Sequence, residues 1–319
     1  MLAVLVVTFP FFALVLCGYV ATLRGALPLP AIAGLNVFVL YFALPCMLFR
    51  FGASTPVLSQ LSPGAVAVYV VSALVVVAFT VVATVGFRIG LDDAAFGALV
   101  AAFPNTGYMG VPMLVALLGA AAAGPAIATI LIDLVFTSSL CVALSHLDRA
   151  GEHGAAATAR DALKGAAANP LPWAIALGIA VWTAGLELPA PVAGTIGLLA
   201  DAASPVALFT TGAVLARARM TATRHTPLAD YAPVALVKLV VHPFVVWALG
   251  ESAISLGVAL DRSTLTVLVL VAALPSASNV VMLAERFGAD SGRIARIIML
   301  STALAFATFS AAVALLAPR

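Results

Sequence analysis

Long apolar runs constrain this 319-residue chain more than any other feature. Several stretches of about 18–25 residues carry almost no charge, and each could cross about 30 Å of hydrocarbon as a helix. Hydrophobic residues make up 64% of the chain and charged residues only 9%. A soluble domain carries roughly a quarter charged residues. The sequence therefore predicts an all-α polytopic membrane protein embedded in a lipid bilayer.

Ten membrane spans joined by short connections can be drawn along the chain. Their predicted ranges are 2–23, 31–52, 64–88, 93–119, 125–147, 170–187, 192–216, 229–250, 264–287 and 293–316. The longest polar stretch lies near the middle of the chain. It separates a first five-span unit at 1–147 from a second at 170–319, and we interpret 148–169 as a cytosolic linker.

Basic residues are unequally distributed between the two ends of these spans. With the N-terminus outside, eleven of the fifteen Lys and Arg residues fall at cytosolic ends, three fall at outer ends, and Lys238 lies within a span. Positive residues accumulate on the cytoplasmic side of membrane proteins. The distribution predicts a protein of the cytoplasmic membrane with both termini outside, which requires an even number of spans.

Charge and cysteine content make several other functions poor candidates. A net charge of +2 gives no reason to expect nucleic-acid binding. Cys17, Cys46 and Cys141 lie singly inside apolar runs and lack the spacing of metal ligands. We therefore interpret them as small buried hydrophobic residues. The sequence predicts no metal site and no cofactor.

Prolines and glycines recur at matching positions in the two halves. At an offset of 160 residues the coinciding pairs are Pro10 with Pro170, Gly18 with Gly178, Pro45 with Pro205, and Gly52 with Gly212. The halves therefore resemble two copies of one five-span unit. Because five is odd, the second copy must be inserted in the opposite direction. Inverted repeats are a feature of secondary transporters, which bind substrate near the membrane midplane between the repeats.

Two predicted spans are interrupted near their middles by helix-breaking residues. The segments are Pro104-Asn105-Thr106-Gly107-Tyr108 with Pro112 in span 4, and Pro275 with Ser276, Ser278 and Asn279 in span 9. Proline removes a backbone donor and clashes with the preceding turn. At membrane depth such a break is tolerated only inside protein or beside a wet cavity. Corresponding breaks in two halves predict a substrate site, although the polar residues could instead cap the half-helices.

A half-helix that starts inside the membrane has an electrostatic consequence. Its first N–H groups are unpaired and carry the positive end of the helix dipole. Two such starts would favour an anionic group, as helix N-termini do elsewhere. We therefore expect a small organic anion, in particular a carboxylate, as the substrate.

Ionisable residues within the spans are few, and three of them are candidates for coupling. They are Asp133, Lys238 and His242. Intramembrane charges are energetically costly and usually face a cavity or a partner. Asp133 and Lys238 could carry a coupling proton or form a structural ion pair. His242 shares a helix face with Lys238, four residues earlier, and could join it or serve as a hydrogen-bonded packing residue.

Several of these motifs together resemble a known family. They are Gly34-Leu35-Asn36, Phe42-Ala43-Leu44-Pro45, the stretch from Asn105 to Pro112, Lys238-Leu239 with Pro243, and Pro275 to Asn279 followed by Ala284 and Gly288. The chain resembles the auxin efflux carrier family, in particular bacterial members that include malonate carriers. The resemblance implies two inverted five-span repeats, crossing spans 4 and 9, and elevator-like alternating access. It also implies that Asn105 and Asn279 lie beside the substrate.

Other functions stay open at this point. A sodium-coupled bile-acid-type symporter would share the inverted-repeat plan, and sodium dependence of uptake would identify it. An integral membrane enzyme acting on a lipid-linked substrate would need a cluster of acids, or a nucleophile with its base, and neither is evident. A channel would not show counterflow exchange. The sequence also leaves open whether the chain forms a homodimer.

Overall fold

A computed structural model describes residues 2–54, 62–86, 88–146, 170–221 and 226–316 of the chain. Within these residues the secondary structure is helical apart from turns and one isolated β-bridge. The helices are α1 (Leu2–Leu23), α2 (Leu29–Ser54), α3 (Pro63–Thr84), α4 (Leu91–Ala102), α5 (Thr106–Leu118), α6 (Ala120–Ser145), α7 (Pro170–Thr183), α8 (Ala190–Thr221), α9 (Ala232–Ser255), α10 (Arg262–Ala273), α11 (Val280–Phe287) and α12 (Ser291–Leu316).

Seven of these helices are each long and apolar enough to cross a membrane. Within the described ranges they are α1, α2, α3, α6, α8, α9 and α12. Predicted span 4 is divided into α4 and α5, and predicted span 9 into α10 and α11, so each piece is shorter than a bilayer requires. Predicted span 6 is the 14-residue helix α7. The predicted linker at 148–169 lies outside the described residues.

The helices pack as two groups. In the first, which we call the four-helix bundle, α1 packs against α8, α7 packs against α2, and α2 also contacts α8. The second group, the crossing bundle, contains α3 to α6 and α9 to α12. Its main contacts join α3 to α4 and α9, α4 to α6, and α9 to α10. Helix α12 contacts α1 and α8, and so joins the two groups.

Two close crossings in the four-helix bundle depend on glycine. Gly18 of α1 lies against the backbone of Phe209 in α8, and a Cβ at Gly18 would overlap the Phe209 carbonyl oxygen. Gly178 of α7 lies in the same way against the Phe49 carbonyl oxygen in α2. Positions 18 and 178 differ by 160 residues, as do 49 and 209. The α1–α8 and α7–α2 crossings are therefore equivalent contacts under the offset seen in the sequence.

Replacing Gly178 by alanine will destabilise the protein. The new Cβ would enter the Phe49 carbonyl oxygen and force α7 and α2 apart, which costs typically about 1–3 kcal/mol in a packed interior. Gly194 is a matched control because it is also helical and has no atom within 4 Å of an added Cβ. Thermal unfolding in detergent should show a lower Tm for Gly178→Ala and an unchanged or slightly higher Tm for Gly194→Ala. Equal Tm values would show that the glycine crossing is not tight.

Three membrane-spanning helices contain a widened π turn. The turns are Val39–Ala43 in α2, Asp133–Thr137 in α6 and Val237–Val241 in α9. In α6 the Ser138 hydroxyl donates to the Asp133 carbonyl at 2.5 Å. This bond satisfies a backbone acceptor within the wider turn. Single π turns often occur at functional positions. Two of these three contain a carboxyl or amine side chain, Asp133 in α6 and Lys238 in α9.

Candidate functional site

The break between α4 and α5 begins where the backbone becomes extended. Phe103 has φ −102° and ψ 99°, and Pro104 has no N–H to continue the helix. Helix α5 then starts with a π turn. The amides of Met109 and Gly110 both donate to the Asn105 carbonyl, at 3.1 and 3.0 Å. Asn105 therefore stands at the start of the second half-helix.

The break between α10 and α11 has a similar form. Leu274 is extended, with φ −62° and ψ 156°, and Pro275 follows it. Helix α11 starts after Asn279, whose carbonyl accepts hydrogen bonds from the amides of Met282 and Leu283 at 3.1 and 3.3 Å. An asparagine thus precedes the second half-helix at both breaks.

The two breaks are hydrogen-bonded to each other. Pro104 and Ser276 form the isolated antiparallel bridge. The Asn105 amide donates to the Pro275 carbonyl at 2.8 Å, and the Ala277 amide donates to the Phe103 carbonyl at 3.0 Å. Backbone groups released by one break are therefore satisfied by the other. This mutual pairing explains how irregular backbone is tolerated in an apolar interior.

In the described part of the chain, two polar side-chain atoms are buried without a partner where the breaks at residues 103–105 and 274–279 meet, a place that we call the crossing. Asn105 is 4% exposed and Thr106 is 1% exposed. Among the described residues, Thr106 Oγ1 and Asn279 Oδ1 are buried and have no hydrogen-bond partner. Asparagine at a helix start commonly caps the first N–H groups. Neither Asn105 nor Asn279 makes such a side-chain cap, so the capping interpretation is not supported.

Other residues of the predicted site are already engaged. The Ser276 hydroxyl accepts a hydrogen bond from Ser301 Oγ of α12 at 3.2 Å, and the Ser276 amide donates to the same hydroxyl at 3.3 Å. Ser278 Oγ lies 3.0 Å from Thr211 Oγ1 of α8. The Tyr108 carbonyl accepts from Ser204 Oγ of α8 at 2.9 Å. Sequence reasoning missed Ser301, Thr211 and Ser204, although each is a hydroxyl residue in an apolar segment.

The remaining predicted residues of span 4 allow close packing. Gly107 is half-buried, and a Cβ there would lie 3.9 Å from the methyl groups of Leu44 in α2. Gly110 lies so close to Leu274 that a Cβ would come within 2.5 Å of its side chain. Pro112 occupies the first turn of the regular part of α5, where a missing N–H is not needed. Gly110 therefore allows close packing at the crossing, and contact of Gly107 with the substrate stays a prediction.

Asp133 is fully buried in the crossing bundle. Its carboxylate accepts hydrogen bonds from Tyr69 Oη of α3 at 2.9 Å and from Thr137 Oγ1 at 3.0 Å. Within the described part of the chain it forms no ion pair within 4 Å. Lys238 is nevertheless near enough to interact with it electrostatically. The direct Asp133–Lys238 ion pair, one of the two alternatives from the sequence, is therefore not formed within 4 Å among the described residues.

Lys238 instead contacts the end of α10. Its Nζ donates to the Ala272 carbonyl at 2.7 Å and lies 3.1 Å from His242 Nδ1. In an unbroken helix that carbonyl would accept from the Ser276 amide, which here turns to Ser301. A cation at a helix C-terminus also complements the helix dipole. Lys238 and His242 are both fully buried. Lys238 of α9 thus satisfies a backbone carbonyl that the break between α10 and α11 leaves free, and His242 contacts Lys238.

A polar cavity of about 430 Å³ opens where α8 approaches α11 and α12. We call it the vestibule. Its charged lining residues are Asp92, Asp93, Arg217, Glu285, Asp290 and Arg296. On α11 the lining residue nearest in sequence to the break is Val281, two residues beyond Asn279. The other lining residues place the vestibule at the end of the bundle where predicted cytosolic residues cluster.

Comparison with known proteins assigns the chain to a family. Residues 3–313 match the family described as "Membrane transport protein". The chain belongs to this family. The match confirms the resemblance to auxin efflux carriers seen in the sequence, and it places this membrane transport protein among transporters rather than enzymes.

Similar proteins in other organisms also carry transporter names. The chain is 29% identical over 302 residues to a Rhizobium meliloti protein named "Putative malonate transporter", which covers 94% of the chain and 91% of the relative. It is 27% identical over 283 residues to the Escherichia coli "Uncharacterized transporter YfdV", covering 87% and 86%. An "Uncharacterized transporter" of Methanothermobacter thermautotrophicus is 28% identical over 302 residues, covering 91% of both chains.

The candidate site of this membrane transport protein consists mainly of neutral polar groups. Among the described residues, no group of three or more His, Cys, Asp or Glu side chains could hold a metal ion. The three cysteines are unpaired. The crossing offers amide and hydroxyl oxygens beside two half-helix starts, and these groups can orient a small polar solute.

Proposed function

We propose that this membrane transport protein moves small organic anions, carboxylates of the auxin or malonate kind, across the cytoplasmic membrane by alternating access. The observation that carries the proposal is the hydrogen-bonded pair of helix breaks. Among the residues that the structure describes, Thr106 Oγ1 and Asn279 Oδ1 find no hydrogen-bond partner there, although both are buried. A buried polar atom without a hydrogen bond is costly and therefore calls for a ligand or water. In a transport-family protein, the substrate is the simplest such ligand.

The charge of the substrate follows from the two half-helices. Helices α5 and α11 both start at the crossing, and the start of a helix carries a partial positive charge. Anions bind at such positions in many proteins. The Rhizobium meliloti relative carries a malonate transporter name, which agrees with a carboxylate substrate. We propose Asn105, Thr106 and Asn279 as the side chains that contact it.

The proposed architecture has ten spans arranged as two inverted repeats, 1–147 and 170–319. Helices α4 and α5 together form span 4, and α10 and α11 together form span 9. Two observations support the inversion. The glycine crossings α1–α8 and α7–α2 are equivalent at an offset of 160 residues, and both breaks place an asparagine before the second half-helix.

The proposed orientation places both termini outside and the 148–169 linker in the cytosol. The unequal distribution of basic residues supports this orientation. Cysteines introduced into the linker should react with a membrane-impermeant reagent in inside-out vesicles and stay unreactive in intact cells. Labelling from outside in intact cells would show that the proposed orientation is wrong.

Thermal unfolding with a panel of monocarboxylates and dicarboxylates tests the substrate class. A ligand at one hundred times its dissociation constant stabilises the native state by about 2.7 kcal/mol. We expect a concentration-dependent rise in Tm with at least one short carboxylate and none with its uncharged amide. If only the amide or an organic cation raises Tm, the proposed substrate class is wrong. A rise that requires sodium would instead favour the bile-acid-type symporter.

A further inference from the structure

Two hydroxyl groups on α8 connect the four-helix bundle to both helix breaks. Ser204 Oγ donates to the Tyr108 carbonyl at 2.9 Å, beside the first break. Thr211 Oγ1 lies 3.0 Å from Ser278 Oγ, within the second break. The two residues are seven positions apart, which is about two helical turns, so they lie on the same face of α8. One helix of the four-helix bundle is thus hydrogen-bonded to both halves of the crossing.

The corresponding face of α2 cannot make these bonds. At the 160-residue offset, Ser204 corresponds to Leu44 and Thr211 corresponds to Phe51. Leu44 is buried and lies near Gly107, so α2 meets the crossing through apolar contact. The two otherwise related helices therefore differ in how strongly they hold the crossing.

This difference matters if the two repeats exchange their conformations during transport, a step that rests on the proposed function. Alternating access in inverted-repeat transporters is largely a movement of one bundle against the other around a fixed site. In the exchanged conformation, Leu44 and Phe51 of α2 would take the positions beside the crossing that Ser204 and Thr211 of α8 occupy in this structure. The hydrogen bonds from α8 would be lost, and α2 would not replace them.

We infer that Ser204 and Thr211 form a latch that favours the conformation with an open vestibule over the exchanged conformation. Each intramolecular hydrogen bond changes such an equilibrium by about two- to tenfold. Loss of both should therefore lower the ratio of the two conformations about tenfold. Thr211 also donates to the Ala207 carbonyl of its own helix at 2.9 Å, so its side chain is not left unpaired when the latch opens.

The distance across the vestibule measures this ratio without any substrate. Thr221 on α8 and Ser291 on α12 both line the vestibule and belong to different bundles. Spin labels on cysteines at these two positions, in a background without Cys17, Cys46 and Cys141, report the distance by double electron–electron resonance. The purified full-length protein in lipid nanodiscs is used. The two conformations should appear as a longer and a shorter distance.

The decisive variant is Ser204→Ala with Thr211→Val. We expect the ratio of the longer to the shorter distance to fall about tenfold. Thr210→Val is the matched control, because Thr210 is equally buried and its hydroxyl donates to the Val206 carbonyl of its own helix, at 2.7 Å, rather than to a described residue of the crossing. The control should keep the wild-type distribution. Thr211→Ser keeps the hydroxyl and should also retain it.

A distribution in the double variant that equals the control's would overturn the latch, even if transport of an anion is established. If the double variant does not fold, Ser204→Ala alone removes a half-buried hydroxyl and should lower the ratio by about two- to tenfold; an unchanged ratio there would also overturn the latch. If the ratio of the two distances shifts clearly but no substrate shows counterflow, the latch is supported and the transport proposal is refuted.

Discussion

Alanine at Asn105 or at Asn279 will reduce transport severely and leave folded protein in the membrane. Both asparagines stand at half-helix starts, and neither side chain caps its helix. The backbone bonds that join the breaks use the Asn105 amide and the Phe103 carbonyl, and an alanine at position 105 retains both. A hydrogen bond to a charged group contributes about 1.5–3 kcal/mol, so each variant should bind a carboxylate roughly ten- to hundredfold more weakly.

Asn36 provides the control for this experiment. It is a partly buried asparagine of α2 outside both breaks, and Asn36→Ala should retain substrate affinity. Uptake into proteoliposomes and ligand-induced thermal shifts measure transport and affinity separately, and size-exclusion profiles check folding. Near-normal affinity and flux in both Asn105→Ala and Asn279→Ala would show that the two asparagines do not contact the substrate.

The substitution Asp133→Asn will abolish pH-driven accumulation but retain counterflow exchange. Asp133 is fully buried, and its only close partners among the described residues are the hydroxyls of Tyr69 and Thr137. A buried carboxylate without an ion-pair partner is costly to keep charged, which suits a group that gains and loses a proton. Asparagine has nearly the same shape; its amide oxygen can accept from one of the two hydroxyls, and its amide nitrogen can donate to the oxygen of the other. Counterflow needs no net proton movement, so it should continue.

The alternative role of Asp133 predicts a different result. If Asp133 and Lys238 stabilise each other as charges, either single neutral variant should lose about 3–5 kcal/mol, and neutralising both should partly restore stability. Asp201→Asn is the matched control, because Asp201 pairs with Arg50 at 2.7 Å and its side chain is 70% exposed. Full pH-driven uptake with unchanged stability in Asp133→Asn would contradict both roles.

The positions of the helix breaks could be predicted from sequence because their causes are local. Proline at 104 and 275 removes a donor wherever it stands in a helix. The breaks appear where the sequence places them, at Phe103–Asn105 and Leu274–Asn279. The number of spans was harder to predict. A helix that is shorter than the bilayer is thick can contribute to a span only together with a second short helix.

The partners of the buried polar groups could not be predicted, because they depend on tertiary packing. The π turns at Asp133 and Lys238 rotate these residues relative to an ideal helix. Ion pairing between them was one of two alternatives from sequence, yet each residue has a nearer partner. The bond from Lys238 to Ala272 arises only because the break in span 9 releases that carbonyl. Hydrophobic periodicity in the sequence does not reveal which backbone carbonyl loses its intrahelical donor at a helix break.

Counterflow in proteoliposomes tests the central claim most directly. Vesicles containing the protein are preloaded with the carboxylate that raises Tm most, and the labelled compound is added outside at low concentration. We expect a transient accumulation of label above equilibrium, which saturates with concentration and is lost in Asn279→Ala. A flux that rises linearly with concentration and shows no transient accumulation would contradict alternating access at the crossing.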